Sequence, residues 1–214
     1  MEFSGVMGGL FKISEWITRL AYVNILWIFF SILGLFVFGF FPATVAMFTV
    51  MRKLVLGEVD IPIFRTFWTA LKKEIVKSNI LGYIVLLFGG ILYLNFSIIQ
   101  ESTSNIGYLY YPTLILIFLF ILTLFYIFPV YVHFQFNILT ALRNSLFLMI
   151  INPLATFTMI FGSIVIFIIL DFFPALIVFF GGSAFTLLFM SISMWAFNKI
   201  ALKRQTSTKE VESA

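Results

Sequence analysis

The sequence predicts an all-α membrane protein with five transmembrane helices and two amphipathic helices on its cytoplasmic face. Three observations predict it. First, 62% of the 214 residues are hydrophobic and 10% are charged, where a soluble domain carries about 25% charged residues. A soluble fold of this length leaves too much surface in water to hide that much apolar material. Second, the apolar residues gather in runs near the roughly 20 residues needed to cross about 30 Å of hydrocarbon. Third, those runs are continuous, unlike the short alternating segments of a β-barrel. An open strand would leave its backbone groups unpaired in lipid. Residues 1–200 read as one integral membrane domain and 201–214 as a polar cytoplasmic tail.

The first ten residues contain Glu2 and no Lys or Arg, so the basic leader of a cleaved signal is missing. The first span covers 22–41 without a charge. Gly39 and Phe41-Pro42-Ala43 follow, and the apolar run continues to Met51 before Arg52-Lys53. That run is too long for one straight span and too short for two. It reads as one span that breaks at residues 39–42, where Pro42 removes a backbone donor, and goes on as a half-buried helix. The alternative is a tight hairpin of two short spans, which would bring the N-terminus inside. Gly39 and Ala43 also have the small-xxx-small spacing of a helix contact.

Next comes a surface helix over 61–77. Ile61, Phe64, Trp68, Leu71 and Ile75 are spaced three and four apart and draw one apolar stripe. Arg65, Lys72, Lys73 and Lys77 fall away from it, as in a basic helix lying on the inner membrane surface. The second span covers 79–99 and the third 109–132, with Phe128-Pro129 near its close. A second surface helix covers 134–150, where Asn137, Thr140 and Asn144 form a narrow polar stripe beside Arg143. The fourth span, 153–170, and the fifth, 174–197, open on Pro153 and Pro174, where a missing N–H costs little. Asp171 lies in the turn between them.

An internal repeat is suggested. Thr69-Ala70-Leu71-Lys72-Lys73 resembles Thr140-Ala141-Leu142-Arg143-Asn144. Each leads to an Asn (Asn79, Asn152), then a span ending near a lone acid (Glu101, Asp171), and each follows a Phe-Pro pair. The unit is span, Phe-Pro break, surface helix, span, twice in the same orientation. Chance likeness of apolar sequence is the competing account.

Orientation follows the positive-inside rule. Arg52, Lys53, Arg65, Lys72, Lys73 and Lys77 precede the second span, Arg143 lies between the third and fourth, and Lys199, Lys203, Arg204 and Lys209 follow the fifth. Alternating crossings put all of these on one side, predicted to be the cytoplasm, with the C-terminus. Five spans then leave Lys12 and Arg19 outside, balanced by Glu2 and Glu15.

The chemistry-bearing residues are few. There is no Cys, hence no disulfide, thiolate site or cysteine nucleophile. The one His, His133, has no acid close in sequence and reads as an interfacial residue. No P-loop, G-x-S-x-G, G-x-G-x-x-G or H-E-x-x-H occurs. No ionisable residue falls mid-span, which argues against a coupled pump. The chain is expected to be no enzyme, to hold no cofactor or metal, and to bind no nucleic acid.

Several residues together resemble the YesL-type family, small bacterial membrane proteins classed as a domain of unknown function. They are Gly39, the run Phe41-Pro42-Ala43-Thr44-Val45-Ala46, Arg52-Lys53, Gly57, Phe64 and Phe67. The likeness resumes at Phe128-Pro129, Asn137, Leu142-Arg143-Asn144-Ser145-Leu146 and Asn152-Pro153. One departure is His133-Phe134-Gln135-Phe136, where the family leads one to expect an acid. The resemblance implies a bacterial plasma-membrane protein linked to carbohydrate ABC importers, and it implies no catalytic residue. The leading expectation is a non-enzymatic accessory protein docked on importer membrane subunits or a membrane sensor. Its contact or anionic-lipid surface would be Arg52, Lys53, Arg65, Trp68, Lys72 and Lys73, unless these cations only fix topology. Gly39, Pro42, Ala43, Pro129 and Pro153 are the expected helix-break or packing positions. The alternative function is a small-solute transporter or channel acting as an oligomer, which a two-fold repeat would suit.

Overall fold

The computed structural model describes residues 6–58, 60–101 and 108–212. Among them are seven helices and no strand: α1 (Val6–Leu33), α2 (Phe40–Val55), α3 (Ile63–Glu101), α4 (Tyr110–Phe134), α5 (Ile138–Ile151), α6 (Pro153–Phe172) and α7 (Ala175–Glu212). Five are long and apolar enough to cross a membrane, namely α1, α3, α4, α6 and α7. Their outward faces are rich in exposed apolar side chains such as Leu87, Phe118, Phe161 and Phe167, the surface a bilayer would cover.

The first span departs from the expected 22–41. It begins earlier because Glu15 and Arg19, one turn apart, pair with each other and so fit a helix. It ends earlier because the chain reverses over 34–39. Leu35 and Phe36 take left-handed φ values of 54° and 61°, a conformation that costs side-chain-bearing residues free energy. Gly34 and Gly39 close the turn at backbone contact. Pro42 does not break a helix. It sits in the first turn of α2, where backbone donors lack intrahelical partners anyway.

The reversal makes α1 and α2 an antiparallel hairpin, the arrangement weighed above as the alternative. The Trp27 indole donates to Thr44 Oγ1 at 3.0 Å across it, and Trp27 and Phe40 meet edge to face. Nor is α2 half-buried. Ala43, Val45, Ala46, Met47, Val50 and Met51 are all buried, enclosed by α1, α3, α4 and α7. A 16-residue helix, about 24 Å long, thus stands as the central post of the bundle.

Residues 61–77 and 79–99 were expected as a surface helix and a separate span. They form the single helix α3, because nothing at Ser78-Asn79 interrupts it. Ser78 Oγ donates back to the Glu74 carbonyl at 2.7 Å, and Asn79 Nδ2 donates to the carbonyls of Ile75 at 2.8 Å and Phe38 at 3.0 Å. Its 39 residues extend about 58 Å. The Phe41 ring lies flat against Gly82, where a Cβ would collide with it. Gly82→Ala is therefore expected to lower stability by about 1–3 kcal/mol, read as a lower Tm in mild detergent. Adding Phe41→Leu should recover part of the loss.

Phe128-Pro129 does not close α4, which runs through Pro129 to Phe134 and stops at Gln135 with φ 51°. After Asn137, α5 buries Ala141, Ser145 and Met149, a stripe of fourth residues, against α4. Asn152 leaves the helical region at φ −117°, as the residue before a proline tends to, and Pro153 opens α6. The two repeat-like units therefore differ at one joint. Asn152-Pro153 breaks the second where Ser78-Asn79 continues the first. Beyond 197, α7 continues as helix to Glu212, through most of the segment expected as a tail.

Together these placements bring the start of α1, the end of α2, the starts of α3 and α5, and the end of α7 to one end of the bundle. Lys12 and Arg19 join the other described cations there, and the awkward pair on the far side disappears.

Candidate functional site

At this basic end α2, α3, α4 and α5 enclose an open cleft of about 960 Å³. Arg52 and Lys53 enter it from the last turn of α2, where basic side chains complement the helix C-terminus. From α3 come Arg65, Thr69, Lys73 and Lys77, a stripe with a step of four that keeps to one side of the helix. Tyr131, Gln135 and Asn137 face them from the end of α4 and the entry to α5. The segments that resemble each other in sequence open α3 and α5, and both helices wall this cleft.

Among the described residues five cations line the cleft against one carboxylate, Glu74. That carboxylate is engaged, since the Tyr131 hydroxyl donates to Glu74 Oε2 at 2.6 Å. Lys53 is paired with Glu58 at 3.3 Å. Arg52 Nε donates to His133 Nδ1 at 3.3 Å, and His133 packs on Phe134 and Phe197. Among the described residues no carboxylate lies within ion-pair distance of Arg65, Lys73 or Lys77. Two helices begin at the cleft and two end there, so their dipoles offset one another and the side chains set its sign. Tyr131→Phe is expected to cost about 1.5–3 kcal/mol, the range for a hydrogen bond to a charged group, measured by thermal unfolding in detergent.

Of the six residues expected to form a contact surface, Arg52, Lys53, Arg65 and Lys73 line the cleft. Trp68 and Lys72 do not. Trp68 stacks toward Phe30 of α1 at 5.2 Å, and Lys72 Nζ lies over the Trp68 ring at 4.4 Å. Lys77, Gln135 and Asn137 line the cleft as well, beyond those six. The recurrence of Arg65, Thr69, Lys73 and Lys77 every fourth residue was the signal for the α3 wall. Gly39, Pro42, Ala43, Pro129 and Pro153 are packing and chain-direction positions away from the cleft. Among the described residues no three His, Cys, Asp or Glu side chains come together as a metal site.

Residues 20–96 match the family described as "Protein of unknown function, DUF624". The chain is 38% identical over 192 residues to the uncharacterized protein YteU of Bacillus subtilis (strain 168), covering 90% of this chain and 86% of the relative. It is 36% identical over 200 residues to YesL of the same organism, covering 94% and 95%. To YesV it is 33% identical over 195 residues, covering 91% and 94%. No solved structure matches the chain.

Proposed function

The chain belongs to the DUF624 family, and from that premise we propose that it is a non-enzymatic membrane accessory protein that holds an anionic group in the cleft at its basic end. One observation carries the reading. Arg65, Lys73 and Lys77 face a shared space, and among the described residues none is ion-paired, the carboxylate that lines the space with them, Glu74, being held by Tyr131. Cations that only set topology need water, and they need not converge. The one carboxylate among the described lining residues, Glu74, is held by Tyr131, and the cations around it suit binding an anion. We place the basic end at the cytoplasmic face of a bacterial plasma membrane. The hairpin of α1 and α2 supports that orientation by bringing Lys12 and Arg19 to the same end as the other cations.

The partner we propose is a membrane subunit of a carbohydrate importer, as the sequence resemblance implies. The test is chemical crosslinking in native membranes, followed by purification in mild detergent. An importer permease subunit should be recovered with the chain. Repeated purification of the chain alone after crosslinking would overturn the partnership. The transporter reading draws less support, because the centre of the bundle is filled by α2 and its apolar neighbours.

A further inference from the structure

The cleft is not uniform along its length. Its α3 wall runs from Arg65 to Ile84, a rise of about 28 Å. The cations occupy the outer part of that wall, from Arg65 to Lys77. Beyond them the lining is Ile84 of α3, 37% exposed, and Val45 of α2, which is buried. Thr66 and Thr69 supply hydroxyls among the cations. A phosphate suits such donors, because charge-assisted hydrogen bonds are the strong ones. A bare phosphate would leave this apolar lining, and that of Phe136, Ile138 and Leu139 near the cations, unused.

We propose that the cleft binds an anionic amphiphile drawn from the membrane, a phospholipid whose phosphate lies among Arg65, Lys73 and Lys77 and whose chain follows Val45 and Ile84. This rests on the anion-binding reading above and gives it a ligand class. A polar head over an apolar trough matches a molecule with the same two halves. The membrane holds such molecules at high local concentration, and long basic side chains near helix ends reach naturally to headgroup level.

The same helix provides a control. Lys72 is adjacent to Lys73 and carries the same charge, yet it lies over Trp68 outside the cleft. Undirected attraction of basic residues to an anionic surface would treat the two alike. A built site separates them.

The test is mass spectrometry of the intact purified chain in nonionic detergent, with dioleoyl phosphatidylglycerol and dioleoyl phosphatidylcholine added at equal concentration. The phosphatidylglycerol adduct is expected to exceed the phosphatidylcholine adduct by about tenfold, and the double variant Lys73→Gln/Lys77→Gln should remove most of that preference. Arg65→Gln should weaken it independently, and Lys72→Gln should leave it unchanged. Glycerol phosphate should not displace the lipid. Equal loss from Lys72→Gln and Lys73→Gln would overturn the proposal, as would equal binding of the two lipids. Displacement by glycerol phosphate would mark the cleft as a site for a free phosphate ester, overturning the amphiphile and keeping the anion. Recovery of the importer subunit is scored on the same variants, so loss of lipid and loss of partner are read separately.

Discussion

Asn24→Leu is expected to be among the most damaging single substitutions in the chain. Asn24 is fully buried between α1 and α7. Its Nδ2 donates to the Val178 carbonyl at 2.8 Å, and its Oδ1 accepts from the backbone N–H groups of Gly182 and Ser183, each at 2.9 Å. Val178 and Gly182 are four apart, the spacing of a helical hydrogen bond. The side chain thus bonds groups on successive turns of α7, which stays helical through them. Leu would fill similar volume and satisfy none of these groups. Backbone groups left unpaired in hydrocarbon cost several kcal/mol each in principle, while single side-chain bonds in membranes average nearer 0.6. A loss of roughly 2–5 kcal/mol follows for the set. The readout is thermal unfolding in mild detergent, beside Asn95→Leu. Asn95 is exposed and, among the described residues, bonds to Ile91 within its own helix, so its variant should unfold within a degree or two of the parent. Equal stability of the two variants would show that the contact to α7 contributes little.

Gly39→Ala is the second large effect. A Cβ at this position would stand 2.5 Å from the Phe30 carbonyl oxygen, 2.8 Å from that of Ser31 and 2.9 Å from Gly34 Cα. All three are backbone atoms, so no rotamer change relieves the clash and α1 must move off α2. The cost should reach the upper end of the roughly 1–3 kcal/mol typical of overpacking. Gly90→Ala is the contrast. Nothing lies within 4 Å of a Cβ there, and Ala in a helix interior is favoured over Gly by up to about 1 kcal/mol. One methyl group should therefore lower Tm at 39 and raise it slightly at 90. A loss at both positions would point to a general intolerance of these helices and away from the hairpin contact.

What the sequence makes legible here is what depends on composition and period. Runs of apolar residues locate α4, α6 and the membrane part of α7 closely, because lipid demands length and little else. The turn at 34–39 is harder to read. Two glycines five apart do not announce that they will touch, and Pro42 is a stronger signal that happens to mark a helix start. The joint at Ser78-Asn79 misleads for the opposite reason. A change from basic to apolar composition looks like a boundary, yet a helix ends where its backbone is obstructed and these residues obstruct nothing. At the cleft, the identity of the cations was readable and their direction was not. Lys72 and Lys73 differ by a rotation of about 100° around one helix. Which of them faces α4 and α5 is set by the aromatic packing of Phe67 and Trp68 on Phe30, a contact between residues far apart in the chain. The contact of Asn24 with α7 was hidden for the same reason.

The unbroken backbone of α3 has a mechanical consequence. Asn79 and Gly82 fasten it to the turn and to Phe41, leaving arms on both sides of that fulcrum. From Gly82 to the end of α3 at Glu101 the outer arm measures about 29 Å. A tilt of some 5° imposed by an occupant beside Lys73 would swing its tip by about 2.5 Å against the start of α4. The second unit, hinged at Asn152-Pro153, has no such rigid lever. An occupant that tilted α3 would thereby be felt across the full thickness of the bundle through one helix and not through its counterpart.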